Sequence, residues 1–360
     1  MSYQFTFDGI KNNRLKFELM VNQMKKQLSS IPYSVLDLAT VIEGKKPADT
    51  FKTSLDLAQH AEKWGYTRYW LAEHHNMISV ASSATAVVIG HIAGGTQSIR
   101  VGSGGIMLPN HSPLVIAEQF GTLESLFPGR IDLGLGRAPG TDQVTAMAIR
   151  GEQRMMAAQN FPQDVLKLQA YMSIDNQRSS VRAIPGEGLD IPIWILGSST
   201  DSARLAAALG LPYAFASHFA PAQFLTAINL YRQNFKPSEE LAEPYVLACV
   251  NVVAADTDAE AQKIATSLYR MFKGVISGKR ELLQPPANSM EDVMNEYEEE
   301  QVNQMLACTF IGSKKTVAND LQEFLEQTQV DEIMATSHIF DHQARLRSYE
   351  LLADLFKEKS

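Results

Sequence analysis

Short β-branched segments alternate with longer segments of helical periodicity along most of this chain, and this alternation limits its fold more than any other feature. Each short segment from Pro32 onward is followed by a stretch able to form a helix, which is typical of parallel strands joined by crossover helices. Eight such units favour a closed (β/α)8 TIM barrel of the α/β class over an open sheet. The predicted strands are Tyr33–Leu38, Arg68–Ala72, Ile99–Ile106, Arg130–Leu135, Pro192–Leu196, Tyr213–Ser217, Tyr245–Ala254 and Glu332–Ser337.

The segment after the first strand shows the helical pattern most clearly. Apolar residues recur there every three or four positions between Phe51 and Trp64. Asp49 or Thr50 can cap the start of this helix, and Gly65 can end it. We therefore expect it to form one member of an outer ring of helices.

Two departures from the repeat predict insertions after strands four and seven, between Gly136 and Ile191 and between Ala255 and Glu332. In a barrel these insertions belong at the C-terminal face, where barrel enzymes build their sites. The part from Gly274 to Gln304 is a candidate gate with Gly274 and Gly278 as hinges, and a fixed packing insert is the alternative. We expect one barrel domain over residues 31–360 and an N-terminal extension of unknown function over residues 1–30.

Charge and composition exclude several classes of protein. The formal charge of -8 disfavours binding to nucleic acid, which depends on clustered Lys and Arg. The chain has neither a run of about 18 apolar residues nor a signal-peptide pattern, so we expect a cytoplasmic protein that has no membrane partner. The two cysteines, Cys249 and Cys308, lie in apolar β-like segments and are expected to be buried and unreactive.

Histidines follow the C-terminal ends of the predicted strands, which in a barrel would collect them at one mouth. Five of the eight histidines lie there, namely His74, His75, His111, His218 and His338. The alternative is that some of them only cap loops or satisfy backbone carbonyl groups. Because side chains alternate along a strand, His74 and His75 are not both expected to reach one reacting atom. The chain lacks a spaced ligand motif such as HExxH, so no metal site is predicted.

Small residues near the ends of strands three to five predict a site for an anionic, flat ligand. Gly104 and Gly105 interrupt strand three, where they form either a bulge that only shapes the barrel or a floor for an aromatic ring. Arg137 follows strand four and can hold a phosphate or form a surface ion pair. After strand five, Gly197 leads into Ser198, Ser199 and Ser202, whose hydroxyls and amides at a helix N-terminus could bind an anion or act only as caps.

Four motifs in this order resemble luciferase-like flavin-dependent monooxygenases: WLAEHHN at 70–76, VGSGGIMLPNHSPLVIAEQFGTLESLFPGRIDLGLGRAPG at 101–140, WILGSS at 194–199 and FDHQARL at 340–346. The resemblance covers about residues 32–357 and is closest to an uncharacterised bacterial branch of the family. It implies a (β/α)8 barrel, commonly a homodimer, that binds FMN at the C-terminal ends of the strands.

The resemblance also implies roles for individual residues. Arg137, Ser198, Ser199 and Ser202, beside Gly197, would hold the FMN phosphate, and a cis peptide between Gly104 and Gly105 would lie beneath the isoalloxazine ring. His74 matches the family's active-site histidine, and His75 is its neighbour. The light-emitting luciferase has a cysteine where Gly136 stands here, so light production is not inferred.

The implied reaction is a monooxygenation. Reduced FMN, supplied by a separate flavin reductase, reacts with O2 to form a C4a-hydroperoxide that oxidises a small organic substrate. One alternative is a deazaflavin-dependent oxidoreductase that transfers hydride, since this class shares the fold. A second is a flavin-binding protein without catalysis, since a fold does not determine a function.

Overall fold

The computed structural model describes residues 26–151 and 158–357. Most of the predicted N-terminal extension, residues 1–25, therefore lies outside the described part of the chain, and the single-domain boundary stays a prediction. The strands that form the barrel are β1 Tyr33–Asp37, β2 Arg68–Leu71, β3 Arg100–Met107, β4 Ile131–Gly136, β5 Ile193–Gly197, β6 Tyr213–Phe215, β7 Val246–Ala255 and β9 Glu332–Thr336.

The barrel is closed and all of its strand pairs are parallel, which confirms the predicted fold class. Each strand from β1 to β6 pairs with the next, β6 pairs with β7, β7 pairs with β9, and β9 returns to β1. All eight predicted strands are therefore present. Their observed limits differ from the predicted ones by only one or two residues.

The helices lie between the strands as crossover connections. They are α1 Pro47–Trp64, α2 Thr85–Gly94, α3 Pro113–Leu126, α4 Gln143–Arg150, α5 Phe161–Met172, α6 Thr200–Leu209, α7 Phe224–Asn234, α8 Asp258–Ser277, α9 Glu296–Met305, α10 Lys314–Thr328 and α11 His342–Lys357. The insertion after β4 contains α4 and α5. The insertion after β7 contains α8, α9, α10 and one further strand.

That further strand corrects the predicted count of eight. Among the described residues, β8, Thr309–Ser313, pairs only with the C-terminal half of β7, from Asn251 to Ala255. Since β7 has ten residues, its first half can close the barrel while its second half extends beyond the barrel and holds β8. β8 thus belongs to the insertion and not to the barrel wall.

Alternation of side chains divides the apolar core in two. One face of each strand packs against the helices, where Val35, Tyr69 and Val101 are fully buried. The other face fills the barrel with a separate cluster that includes Leu36, Trp70, Trp194 and Met334. The barrel is therefore a filled core, and its ligand sites must lie at its ends.

The predicted cap of α1 needs correction. α1 begins at Pro47 after Lys46, so Asp49 is the third helical residue, and its carboxylate accepts from the Lys46 amide at 3.2 Å. Gly65 ends the helix in the left-handed conformation, with φ 84°, as expected. Gly274 lies inside α8 and Gly278 is the C-cap of that helix, so the irregular part of the insertion begins only after Gly278.

Both cysteines are free and buried, as predicted. Within the described ranges, no helix is both long and apolar enough to cross a membrane.

Candidate active site

The C-terminal ends of β2, β6 and β9 bring three histidines together. His74, His218 and His338 follow these strands, and burial followed by the proximity of His338 and His74 lowers the pKa of His218. The expectation that histidines collect at the barrel mouth is confirmed for these three. His75 and His111 also lie at this end, but they face a different partner.

That partner is Glu73, a carboxylate that the sequence analysis noted only as part of a motif. It is 1% exposed, and its oxygens accept from His75 Nε2 at 2.7 Å, from His111 Nε2 at 2.9 Å and from the Met107 amide at 2.9 Å. Burial alone would raise the pKa of Glu73, but these hydrogen bonds lower it below its usual value. A buried, ionised carboxylate therefore joins the ends of β2 and β3.

His74 and His75 point in different directions, as the alternation of a strand requires. His75 turns back to Glu73, whereas His74 Nδ1 lies 3.2 Å from the carbonyl oxygen of Gly140. Burial lowers the pKa of His74, and the nearby charge of Arg280 adds to this effect. Because a carbonyl oxygen can only accept, a neutral His74 carries its proton on Nδ1 and leaves Nε2 as a hydrogen-bond acceptor.

The other two histidines of this group are neutral at neutral pH. Burial lowers the pKa of His218 to about 3 and that of His338 to about 4. Nδ1 of His218 and the side-chain oxygen of Asn251 are buried without a hydrogen-bond partner in the described part of the chain. Unsatisfied buried polar atoms are rare, and their presence at a barrel mouth is typical of a site that receives a ligand.

The glycine pair in β3 forms a bulge. The register with β4 shifts between Ser103 and Ile106, and the peptide bond between Gly104 and Gly105 is cis, as expected. A Cβ on Gly104 would lie 2.7 Å from Leu36 Cδ1, and one on Gly105 would lie 2.7 Å from the Gly134 oxygen. The barrel itself therefore requires glycine at both positions, which agrees with the bulge interpretation. The role of these residues as a floor for a ring stays a prediction.

Arg137 lies beside the N-terminus of α6. Its Nη1 is 3.3 Å from Asp201 Oδ2 in the first turn of that helix, and the two side chains are 47% and 62% exposed. The surface ion pair considered as an alternative is thus present. The same contact brings the guanidinium to the helix end that was predicted to bind phosphate, and a weak exposed pair of this kind can open at little cost.

The serines after β5 differ in how available they are. Ser199 is the N-cap of α6, yet its hydroxyl makes no capping hydrogen bond. The Ser202 hydroxyl contacts the Ser199 carbonyl oxygen at 2.8 Å and Tyr213 at 3.0 Å, so it already has partners within the fold. Gly197 is required because a Cβ there would lie 2.0 Å from the Ser202 hydroxyl oxygen. The Ser202 hydroxyl is therefore less available to a ligand than that of Ser199.

A cavity of about 470 Å³ opens at the same end of the barrel, between the loops that follow β1 and β9. His338 is part of its wall, and Leu283 from the second insertion is another part. The Leu283 amide donates to the Val41 carbonyl at 3.0 Å, and the Leu283 carbonyl accepts from the Glu43 amide at 2.9 Å. The insertion is thus attached to the barrel beside this cavity.

Solved structures of the same fold include proteins that use different cofactors. The crystal structure of apo-MsnO8 has a TM-score of 0.81 and 33% identity, and the match covers 91% of this chain and 99% of that one. The FMN complex of the oxygenating constituent of 3,6-diketocamphane monooxygenase from Pseudomonas putida has a TM-score of 0.65 and 17% identity over 90% of this chain and 96% of that one. An F420-dependent secondary alcohol dehydrogenase has a TM-score of 0.66 and 12% identity, and the match covers 91% of this chain and 99% of that one. The last two show the fold alone.

Relatives by sequence are monooxygenases where their activity is named. A luciferase-like monooxygenase of Escherichia coli (strain K12) is 51% identical over 91% of this chain and 98% of its own length. The N-acetyl-S-alkylcysteine monooxygenase of Bacillus subtilis (strain 168) is 32% identical over 90% of this chain and 98% of its own length. The family model for luciferase-like monooxygenases matches residues 32–332. The chain therefore belongs to the luciferase-like monooxygenase family and is an oxidoreductase.

Proposed function

We propose that this protein is an FMN-dependent monooxygenase that uses O2 to oxidise a small organic substrate, with reduced FMN delivered by a separate reductase. The observation that carries the proposal is the position of Arg137 beside the N-terminus of α6, whose N-cap residue Ser199 makes no side-chain cap bond, at the same barrel end as His74. A guanidinium and a helix N-terminus together are suited to a phosphate group.

The residues at this end fit the phosphate of FMN. Ser199 has a hydroxyl that makes no cap bond, and the first turn of α6 supplies backbone amides with a partial positive charge. Arg137 would exchange Asp201, its exposed partner, for the phosphate. Ser202 would hold the Ser199 carbonyl in place through its hydrogen bond, without touching the ligand.

Reduced FMN bound here would supply the two electrons needed to activate O2. The ring would lie against the Gly104–Gly105 bulge, within reach of the β2 end. His74, neutral and with Nε2 free to accept, would hold or move a proton there. Glu73 would keep the adjoining chain in position through His75 and the Met107 amide.

FMN affinity tests the phosphate assignment. We expect Arg137→Ala to weaken FMN binding, measured by quenching of flavin fluorescence, by about 1.5–3 kcal/mol, since one charged hydrogen bond is lost. Arg178→Ala is the matched control, because Arg178 is 88% exposed and its ion pair is with nearby Asp175. Unchanged affinity in Arg137→Ala would refute the assignment.

Oxygen consumption tests the reaction class. Photoreduced FMN is added with aldehydes, ketones and sulfonates in turn, and substrate-dependent O2 uptake with an oxygenated product is the expected result. A deazaflavin-dependent hydride transferase would bind the deazaflavin more tightly than FMN and would consume no O2. A flavin-binding protein would bind FMN and turn over none of the substrates.

His74→Ala separates binding from chemistry. We expect normal FMN affinity and a loss of product formation in this variant. Unaltered turnover would count against a chemical role for His74.

We also propose a homodimer in the cytoplasm, and light scattering of the purified protein tests the dimer.

A further inference from the structure

We propose that Asn251 and His218 recognise the substrate at the barrel mouth, and that the substrate carries a neutral group which both donates and accepts a hydrogen bond, as a secondary amide does. This inference rests on the proposed function, since it names the substrate class and two specificity-determining residues for the same barrel end. Its starting point is two buried polar atoms that have no partner in the described part of the chain, Asn251 Oδ1 and His218 Nδ1.

Asn251 belongs to the face of β7 that fills the barrel. Leu247 and Cys249 are members of the apolar cluster inside the barrel, and Asn251 follows Cys249 by two residues on the same strand. Because side chains alternate along a strand, Asn251 projects toward the barrel axis, one layer closer to the mouth. Its side chain is buried, so a polar residue ends the apolar filling of the barrel at this strand.

Asn251 also lies across the barrel from the glycine bulge of β3. The strands follow one another around the barrel from β1 to β7 and then β9, so β7 is four strands away from β3 in both directions. A flavin ring resting on Gly104 and Gly105 would therefore turn its free face toward β7. A substrate that reacts on that face would lie between the ring and Asn251.

The Asn251 side chain is held in one orientation. Its nitrogen, Nδ2, donates to the His218 carbonyl oxygen at 2.5 Å and to Thr309 Oγ1 at 3.1 Å. These two bonds use both N–H groups of the amide, so Oδ1 is an acceptor that needs a donor from outside the fold. An amide N–H of a ligand is such a donor.

His218 supplies the second half of the pair. Its carbonyl is bonded to Asn251, and its ring packs edge-on against Phe219 with the ring centroids 4.8 Å apart. Burial lowers the pKa of His218 to about 3, so the imidazole is neutral and carries a single N–H. With that proton on Nδ1, the imidazole donates to a carbonyl oxygen. Asn251 and His218 together then match the N–H and the C=O of one amide.

The chemistry of this pair disfavours a charged group. A carboxylate has no proton to give to Asn251 Oδ1, and burial of an anion beside an unpaired oxygen is costly. A cation would need a free carboxylate, but Glu73 and Asp37, which are buried at this end, already accept from donors of the fold. A neutral polar group fits both members of the pair.

The pair lies one strand away from an opening to solvent. Thr336 of β9 is the register partner of Asn251, and its hydroxyl is 3.5 Å from His338 Nε2. His338 lines the cavity of about 470 Å³. A small molecule that enters this cavity would reach Asn251 past Thr336 and His338.

N-butylacetamide, butyl acetate and hexanoate are matched probes, because they have the same number of non-hydrogen atoms and differ in the polar group. Their dissociation constants are measured by calorimetry with apo and FMN-saturated protein. We expect the amide to bind roughly 5- to 150-fold more tightly than the ester, since the ester leaves Asn251 Oδ1 without a donor. Hexanoate should also bind more weakly than the amide, because it is charged and has no proton to donate.

Asn251→Leu should abolish the preference for the amide. Without the acceptor, the ester should bind at least as tightly as the amide, because an amide costs more to remove from water. Asn319→Leu is the matched control and should keep the preference, since Asn319 is exposed on α10. His218→Phe should weaken amide and ester alike by roughly 5-fold or more, because both lose the donor to their carbonyl oxygen.

The inference is overturned if no probe binds, if the ester or hexanoate binds the wild type as tightly as the amide, or if the amide preference survives in Asn251→Leu. The comparison of probes on the wild type needs no variant, so it decides the matter even where Asn251→Leu fails to fold. Failure of the proposed function gives a different result. The protein would then keep the preference for the amide that depends on Asn251, and yet bind no FMN.

Discussion

The two ends of the barrel differ in how far their buried charged groups are paired with one another. At the N-terminal ends of the strands, Arg68 contacts Asp132 and Glu332, both at 2.9 Å, and both carboxylates are fully buried. Arg100 binds the second oxygen of Asp132 at 2.7 Å, and the Tyr245 hydroxyl donates to Glu332 at 2.9 Å. This charged cluster, which we call the base network, is saturated by its own partners.

The mouth is the opposite case. In the described part of the chain, His218 and Asn251 keep buried polar atoms without partners there, although Glu73 and Asp37 at the same end are enclosed by donors. A saturated network stabilises one conformation, whereas unsatisfied groups keep their hydrogen-bonding capacity for a ligand. The comparison therefore assigns stability to the base network and chemistry to the mouth, as is general in barrels of this type.

Removing the central cation of the base network should have the largest effect on stability. Arg68→Met leaves Asp132 and Glu332 buried without their shared partner, and we expect the free energy of unfolding to fall by about 3–5 kcal/mol. Urea denaturation followed by circular dichroism measures this loss. Arg178→Met is the exposed control, and a loss below about 1 kcal/mol in Arg68→Met would break the comparison.

Glu73→Gln tests a saturated cluster at the mouth. The amide cannot accept from all the present donors, so we expect a loss of about 1–3 kcal/mol in unfolding free energy at neutral pH. Since the pKa of Glu73 is lowered from its ordinary value of 4.5, its stabilisation is complete above that pH and is lost as pH falls through the lowered value. Equal acid sensitivity in the wild type and Glu73→Gln would contradict an ionised Glu73.

His218 should make stability depend on pH over a different range. Its pKa is lowered from 6.5 to about 3, so the unfolded chain binds a proton there that the folded chain does not. Stability should therefore rise with pH across this interval, by up to about 1.4 kcal/mol per pH unit for this group. His218→Gln should flatten the profile, while the exposed control His91→Gln should leave it unchanged. A slope unaltered by His218→Gln would show that this imidazole is not held neutral.

Arg137→Ala should have the smallest effect on stability. Its ion pair with Asp201 is exposed, so we expect the free energy of unfolding to change by less than about 1 kcal/mol. Urea denaturation measures this change. A small change in stability together with the expected loss of FMN affinity would separate Arg137 from the residues of the base network. A large loss of stability would mean that Arg137 supports the fold and not a ligand.

The barrel strands could be predicted from the sequence because their burial leaves a local signal. Each is a short β-branched run set between helical segments, and its limits follow from that contrast. β8, Thr309–Ser313, was not counted as a strand, although it continues the apolar β-like segment around Cys308, because it does not fit the repeat of barrel units. Its pairing depends on β7 extending beyond the barrel, which only the tertiary structure shows.

The site was only partly predictable for a similar reason. Glu73 carries no local sign of its contacts with His111 and Met107, which lie 38 and 34 residues away along the chain. The cavity was not predicted, because its walls come from the β1 loop, the β9 loop and the insertion. Even the ion pair between Arg137 and Asp201 joins residues 64 positions apart.

By itself, the sequence determined the barrel, the end at which histidines gather and the family to which the chain belongs, because each depends on periodicity or on contiguous motifs. Only the tertiary structure decided which polar groups are satisfied, which histidines are neutral and where a substrate can enter. Those properties depend on burial and on distances between side chains from different strands, and neither is encoded in any one segment.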